Sequence, residues 1–500
     1  MDLRIAAIAL VAGLLFAPVP SRAEDKSDLT LHGEITGKDN HTYRNVTFDV
    51  PAGVTRITIA FEATGKEDHT TIDLGLLGPD GFKGQDGFRG WAGGSKRIFT
   101  VSASDATPSF LPGAIRPGKW TLLLGIPNIR ANAHASYTAK VWFSRDAATA
   151  WGPDVLNPPL RKQPGWYRGD LHMHTAHSDG SCLSQGNHVK VPCPLFLTVE
   201  AAAKRKLDFI ALTDHNTSSH LSDIRELQPY FDNLLLIPGR ELTTFQGHAN
   251  LWGVPTSVDF RVGSKTVPDW NALLKSVAPL HGVVSINHAI RPSGEKCMGC
   301  GWTPEPPVDM HLVQAVEAVN GTDAVRPDSG IPFWENQLAQ GFRPTAVGGS
   351  DNHRAVPILT EPDIPVGTPT TVVHATALSM PAILDGIRAG HVFIDTEGTA
   401  DGMIDLEASV GNTKAGMGDE LTAPAGSDVR AQATMKAPPG SKIVLLLDGK
   451  PLPDGTSTTG TVTARIQGDG KPHWIRAEGH AADGRLILLG NPVYLNRRNH

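Results

Sequence analysis

Five short segments in the middle of the chain carry imidazole and carboxylate at spacings that suit metal ligation. In GDLHMHTAHSDG, residues 169–180, His172 and His174 flank one residue. An extended backbone would turn both to the same face. Asp179 follows in a glycine-containing turn. ALTDHN, residues 211–216, ends an apolar run with Asp214 and His215; GRELTTFQGHAN, residues 239–250, supplies Glu241 and His248. SINHAIRP, residues 285–292, supplies His288, and GGSDNHR, residues 348–354, places Asp351 two residues before His353. Any one of these histidines alone is better explained as a packed or surface side chain. Taken together, six histidines and three carboxylates suit zinc, manganese or iron. They are too many for one tetrahedral ion and natural for two or three divalent ions.

Each group lies close behind a short apolar run. Phe209–Leu212, Leu234–Ile237, Val283–Ile286, Ala315–Val319 and Thr345–Val347 read as buried strands. Helical patterns at Val199–Lys206, Trp270–Ala278 and Met380–Arg388 lie between them. This alternation predicts parallel strands and an α/β barrel over 166–396, with the ligand groups gathered on the rim at the C-terminal strand ends. Residues 26–148 read as all-β. Ile57, Ile59 and Phe61 alternate, as do Tyr137, Ala139, Val141 and Phe143. Turn signals at 78–81 and at Pro117-Gly118 punctuate them, which predicts a jelly-roll-like β-sandwich. Residues 149–165 read as a Pro-rich linker. Residues 403–500 return to β: Ile443–Leu447 runs into Asp448-Gly449, and Trp474–Glu478 precedes Asp483-Gly484. Both dipeptides are hairpin turns, so a small C-terminal β-sandwich is expected. The expected fold class is multidomain, α/β plus all-β.

Composition narrows the function. The chain has 500 residues, 19% charged and 40% hydrophobic, with a formal net charge of −6. That charge argues against nucleic acid as the partner. Arg4, the apolar run Ile5–Ala17 and Ser21-Arg22-Ala23 read as an export signal cleaved after Ala23. The run is shorter than the ~20 residues a membrane span needs. A secreted or periplasmic mature chain without a membrane span is expected. Four cysteines in an oxidising compartment are most simply two disulfides. The candidate pairings are Cys182–Cys193 with Cys297–Cys300, or a cross-pairing of the two loops; a four-cysteine zinc site fits the 182/193 spacing poorly.

The motif set His-x-His-Thr-x-x-Ser-Asp-Gly, Thr-Asp-His-Asn, Gly-x-Glu, Asn-His and Ser-Asp-x-His, in this order, resembles the polymerase-and-histidinol-phosphatase (PHP) metallohydrolases over about 230 residues. The export signal and flanking β segments resemble the CehA/McbA branch, which includes a carbaryl hydrolase. The resemblance implies a distorted (β/α)7 barrel with up to three metals. One metal would take His172, His174, Asp351 and a bridging Glu241. A second would share Glu241 and take His248 and His288. A third would take Asp179, His215 and His353. A metal-bridging hydroxide would then attack a small-molecule ester. Two departures stand out. Ala289 follows His288 where the family has proline, and a cysteine-containing insertion comes after it.

Other residues near the motifs have candidate roles. Asp214 is expected to orient a ligand from behind. Arg291 and Arg354 follow ligands closely and are candidates for gripping an anionic oxygen, against the alternative of an ordinary rim salt bridge. His177 is a candidate general acid, against the alternative of a supporting or surface residue. Trp252 and Trp302 are candidates for an apolar pocket wall, against the commoner fate of core packing. His188, His220, His281, His311, His374 and His391 match no motif and read as structural. The expected function is phosphoester hydrolysis, with carbamate or carboxylic ester hydrolysis as the alternative. A non-catalytic, metal-stabilised binding protein is the alternative from another class.

Overall fold

The computed structural model describes residues 26–147, 149–295, 297–356 and 364–496. The expected export signal at 1–23 lies outside the described residues. The N-terminal segment forms two four-stranded antiparallel sheets. One runs Leu29–Thr36, His134–Ser144, Arg56–Ala63, Ile98–Ser102; the other runs Thr42–Val50, Gly118–Asn128, Thr71–Leu77, Phe88–Trp91. The period-2 residues Ile57, Ile59, Phe61, Tyr137, Ala139, Val141 and Phe143 all enter one core that both sheets share.

The stretch read as a linker is a packed strut. Trp151 lies under two guanidinium groups, 5.8 Å from Arg56 and 3.4 Å from Arg225. Both arginines converge on the fully buried Asp105, with Arg56 Nη1 at 2.9 Å and Arg225 Nε at 3.0 Å. Arg225 also donates to the Trp151 carbonyl and the Asn157 side chain, each at 2.6 Å. This buried ionic node joins the N-terminal sheets, the strut and the helix Leu221–Leu227.

The central sheet contains strands β1 (Gly165–Asp170), β2 (Phe209–Leu212), β3 (Leu235–Thr244), β4 (Gly247–Trp252), β5 (Val283–Ile286), β6 (Ala315–Asn320), β7 (Thr345–Gly349), β8 (Thr370–Ala375) and β9 (Val392–Asp395). Its order is β7-β6-β5-β4-β3-β2-β1-β8-β9. Five helices accompany it: Leu195–Lys204, Leu221–Leu227, Trp270–Val277, Ile331–Gln340 and Met380–Arg388. Trp270–Val277 shows why such segments are helical. Asp269 caps its start by accepting from the Ala272 N–H at 2.8 Å. Trp270, Leu273, Leu274 and Val277 then bury one stripe.

The architecture is mixed α/β with many strands and few helices, and a (β/α)7 barrel is not what it shows. The parallel pairs are β1–β2, β2–β3, β5–β6 and β6–β7, whereas β4 runs antiparallel to both β3 and β5. β7 meets β8 through side chains: the Thr371 hydroxyl bonds the Gly348 N–H and carbonyl, each at 2.7 Å. The C-terminal segment does not stand apart either. Leu486–Gly490 pairs antiparallel with β9, so its strands continue the central sheet. Val372 and Phe393 lie in the same core as the C-terminal strands.

Candidate metal centre

All nine sequence-identified side chains converge at one end of the central sheet. His172 and His174 extend from the end of β1, and His215 from the end of β2. The β3–β4 hairpin pairs Glu241 with Asn250 and Thr243 with His248, which puts Glu241, Thr243 and His248 on one face. His248 therefore comes from the start of an antiparallel strand, not the end of a parallel one as the alternation implied. His288 follows β5, and Asp351 and His353 follow β7.

Glu241 is at the centre and is 1% exposed. Five imidazoles face its carboxylate: His215 Nδ1 at 2.9 Å, His248 Nδ1 at 3.2 Å, His288 Nε2 at 3.3 Å, His172 Nε2 at 3.4 Å and His174 Nε2 at 3.6 Å. Asp351 Oδ1 is 3.2 Å from His174 Nε2 and 3.3 Å from His172 Nε2. Asp179 Oδ1 is 3.4 Å from His353 Nε2 and 3.6 Å from His215 Nε2. Ligand atoms of His172, His174 and Asp351 lie within 4.8 Å of one another, as do those of His174, Asp179, His215 and His353. His174 thus joins the third expected group as well as the first. His248 and His288 group with Cys300, but that sulfur is bonded to Cys297 and is no thiolate, so Glu241 is their anionic neighbour.

The imidazoles are oriented as ligands. Nδ1 of four rings is engaged around the cluster: His172 with Glu317 Oε1 at 2.8 Å, His353 with the Asp351 carbonyl at 2.8 Å, His288 with the Cys300 carbonyl at 3.3 Å and His215 with the Thr243 hydroxyl at 2.6 Å. Their Nε2 atoms are left for the carboxylate cluster, and His215 also turns Nδ1 to Glu241 while Nε2 faces Asp179. Metal-bound histidines are tied down in this way. His248 Nε2 is buried without a hydrogen-bond partner, and His172 Nε2 forms no well-aligned hydrogen bond although carboxylate oxygens of Asp351 and Glu241 lie 3.3 and 3.4 Å away. A buried polar atom without a partner is costly, and a divalent ion would supply one. The donor set therefore fits divalent metal.

Burial opposes charge on every group here. At His172, Asp351, Glu317 and Glu241 outweigh it and raise the pKa well above the usual imidazole range. His215 is raised by Glu241 and Asp179 against the same burial, and His353 is pushed up to about 9 by Asp179 and Asp351. His174 goes the other way, down to about 4, because His353 and His215 add to burial. Glu241 and Asp351 are held well below the carboxylate range by the imidazoles around them, despite burial. A divalent metal and a proton would compete for these nitrogens.

The other candidate residues are placed by their own partners. The Asp214 carboxylate accepts from the Thr175 N–H at 2.7 Å, the Thr175 hydroxyl at 2.8 Å and the Ser178 hydroxyl at 2.7 Å. It fixes the turn between His174 and Asp179 and, through the Ser178 hydroxyl 3.4 Å from His174 Nδ1, stands behind His174 and not behind its sequence neighbour His215. Both nitrogens of His177 are engaged outside the cluster, by Ser219 at 2.7 Å and Asp223 at 2.6 Å. Arg291 bonds Asp351 Oδ2 at 3.1 Å and also donates to Asn320. Arg354 is held through its backbone by the Asn352 side chain. Trp252 is core, 1% exposed, with its indole N–H on the Leu171 carbonyl. Cys297 and Cys300 are joined, whereas Cys182 and Cys193 are free thiols, both buried. They belong to the small ladder Ser181–Leu183 with Lys190–Pro192 and its end, and burial together with Cys182 pushes the Cys193 thiol up to about 12.

Sequence reasoning missed Glu317 and Asn320. Glu317 is 2% exposed; it holds His172 Nδ1 and accepts the His288 N–H at 3.0 Å and the Asn320 amide at 2.9 Å. Its signal was a lone carboxylate inside the otherwise apolar run Ala315–Val319. Asn287 donates to Glu241 Oε1 at 2.9 Å. Two members of the cluster also hold unusual backbone: Asp351 at φ 53° and His288 at φ 29° are non-glycine residues in left-handed territory. Such strain concentrates at functional sites. Glu317→Gln is expected to weaken metal affinity about 10–100-fold, the usual cost of losing a partner behind a ligand. Competition with a metal-sensitive dye reads this directly.

No protein-family model matches the chain, and no curated protein matches it. Among solved structures, it is similar to a two-domain Bacteroides vulgatus protein containing a predicted PHP-like metal-dependent phosphoesterase. That likeness has 18% identity and a TM-score of 0.35, and covers 66% of this chain and 96% of the other. Fibronectin(III)-like modules of Clostridium thermocellum CbhA match 19% of this chain and 94% of their own, at 25% identity and a TM-score of 0.15. A Cellvibrio japonicus xylanase matches at 8% identity and a TM-score of 0.19, covering 62% of this chain and 66% of its own. All three scores are low, and the chemistry is carried by the chain's own residues. Among the described residues, no helix is long and apolar enough to cross a membrane.

Proposed function

We propose that the chain is an exported, PHP-type metal-dependent hydrolase that cleaves small-molecule phosphoesters. The observation that carries this reading is the buried Glu241 carboxylate ringed by five imidazoles, with Asp351 and Asp179 beside it. His172, His174, Asp351 and Glu241 would hold one ion, and Glu241, His248 and His288 a second. Asp179, His215 and His353 would hold a third, with His174 within reach. Two or three divalent ions there would activate a water at neutral pH and neutralise charge on the group under attack. Glu317, Thr243 and the Cys300 carbonyl keep the imidazoles turned inward. Arg291 steadies Asp351 by pairing with its Oδ2 at 3.1 Å.

A second reading, hydrolysis of a carbamate or carboxylic ester, is favoured by exposed apolar side chains on the same rim, Phe245 and Met298. The test is a matched set of chromogenic substrates, comprising an aryl phosphomonoester, an aryl phosphodiester, an aryl ester and an aryl methylcarbamate. Mature protein loaded with Mn2+ or Zn2+ is compared with a chelated control. Chelator-sensitive cleavage of the phosphates is expected. Cleavage of the carbonyl substrates alone would move the assignment to the second reading, and no chelator-sensitive cleavage at all would leave the binding-protein alternative.

A further inference from the structure

Phe245 is 91% exposed, the highest value for a large apolar side chain among the described residues. It occupies the tip of the β3–β4 hairpin, two residues beyond Thr243, whose hydroxyl is 2.6 Å from His215 Nδ1. Met298, 72% exposed, lies between Cys297 and Cys300. The Cys300 carbonyl faces His288 Nδ1 at 3.3 Å. Ile290, 38% exposed, is two residues past His288. Three exposed apolar side chains are thus mounted on backbone that also holds cluster histidines.

The mount is fixed. Gly299 has φ 75°, and a Cβ there would lie 2.2 Å from the Thr244 carbonyl oxygen and 2.9 Å from Phe245 Cα. The disulfide loop therefore presses its backbone on the hairpin tip. Past the disulfide, the Trp302 ring covers Gly247, where a Cβ would come within 2.4 Å of it. The Trp302 N–H bonds the Ala289 carbonyl at 2.8 Å, and the Thr303 N–H bonds the Gln246 carbonyl at 2.9 Å. The hairpin tip and the loop after His288 are strapped together, so the backbone that carries the three apolar residues is held beside the cluster. Isolated exposed apolar residues need no explanation, but three of them carried on joined backbone beside a polar site suit a binding surface.

We propose that Phe245, Met298 and Ile290 form an apolar leaving-group subsite, which selects esters whose leaving group is an aryl or similarly apolar alcohol. This rests on the hydrolase reading above, and the test separates the two. The wild type and a Phe245→Ser, Met298→Ser double variant are assayed on phenyl phosphate and methyl phosphate. The ratio of kcat/KM, phenyl over methyl, is expected to fall about tenfold or more in the double variant. Tyr43→Ser, which removes an aromatic that is 75% exposed on the N-terminal sheets, is the control and should leave the ratio as it is. Calorimetry with phenylphosphonate and methylphosphonate on metal-loaded protein measures the same preference without turnover. Hydrolysis with an unaltered ratio would overturn the subsite and leave the phosphoesterase reading intact. Absence of hydrolysis with a phenyl preference in binding that the double variant loses would do the reverse. Equal binding of the two phosphonates, or binding of neither, would overturn the subsite.

Discussion

Glu241→Gln is expected to abolish most metal loading and to lower kcat/KM by more than about 10²-fold, beyond the cost of losing a partner behind a ligand. The substitution is nearly isosteric, so its effect is electrostatic. Five imidazoles lie within 3.6 Å of this carboxylate. Removing its charge leaves His248 and His288 without the anion they share, because their other neighbour, Cys300, is tied in a disulfide. Asp351 still serves His172 and His174, so some metal should remain at that end. Metal analysis of the two proteins, with activity measured on the same preparations, checks this. Full activity with full metal in the variant would show that Glu241 is not the shared ligand.

Asp105→Asn is expected to cost about 3–5 kcal/mol, the range for breaking a buried pair by removing one partner. Asp105 is fully buried, and both Arg56 and Arg225 end on it. An amide there leaves two guanidinium groups in the interior without a counter-charge. Replacing all three groups with packed apolar side chains should be far milder, because it removes the desolvation cost along with the attraction. The pH dependence has a definite sign. Burial raises the Asp105 pKa, but Arg56 and Arg225 outweigh it and hold the carboxyl well below its usual range. A depressed carboxyl pKa contributes stability that is complete above the unfolded value of about 3.9 and is lost as pH falls below it. The thermal midpoint of the wild type should therefore fall toward that of the variant below about pH 4. Because Arg225 and Trp151 bind the strut to the helix Leu221–Leu227, cleavage by protease within 149–165 should also become faster in the variant. An unchanged midpoint at pH 7 would contradict the account.

The convergence of the nine side chains was legible because each sits within a few residues of a short apolar run, and strand ends are easy to locate from such runs. Glu317 escaped because it lies inside a strand and has no motif partner; only the single charge in Ala315–Val319 betrayed it. Asp214 was read from its neighbour in sequence, but its carboxylate turns back to Thr175 and Ser178. The sandwich-forming strands of residues 26–148 showed their period of 2. Sheet order was not legible. Nothing local in residues 239–252 says that β4 returns antiparallel within the central sheet, or in residues 486–490 that they pair with β9. Strand pairing depends on long-range contacts that hydrophobic period does not encode. The packing of residues 149–165 was not legible for a similar reason: prolines signal irregular backbone, and nothing local says that Trp151 lies against two arginines.

The most direct test of the central claim is the metal content of the purified protein, measured by elemental analysis per mole of chain after dialysis against metal-free buffer. Two to three divalent ions per chain are predicted, falling when Glu241 is replaced by Gln. A chain that holds less than one ion after incubation with Zn2+, Mn2+ or Fe2+, with its fold intact, would contradict a multinuclear metal centre.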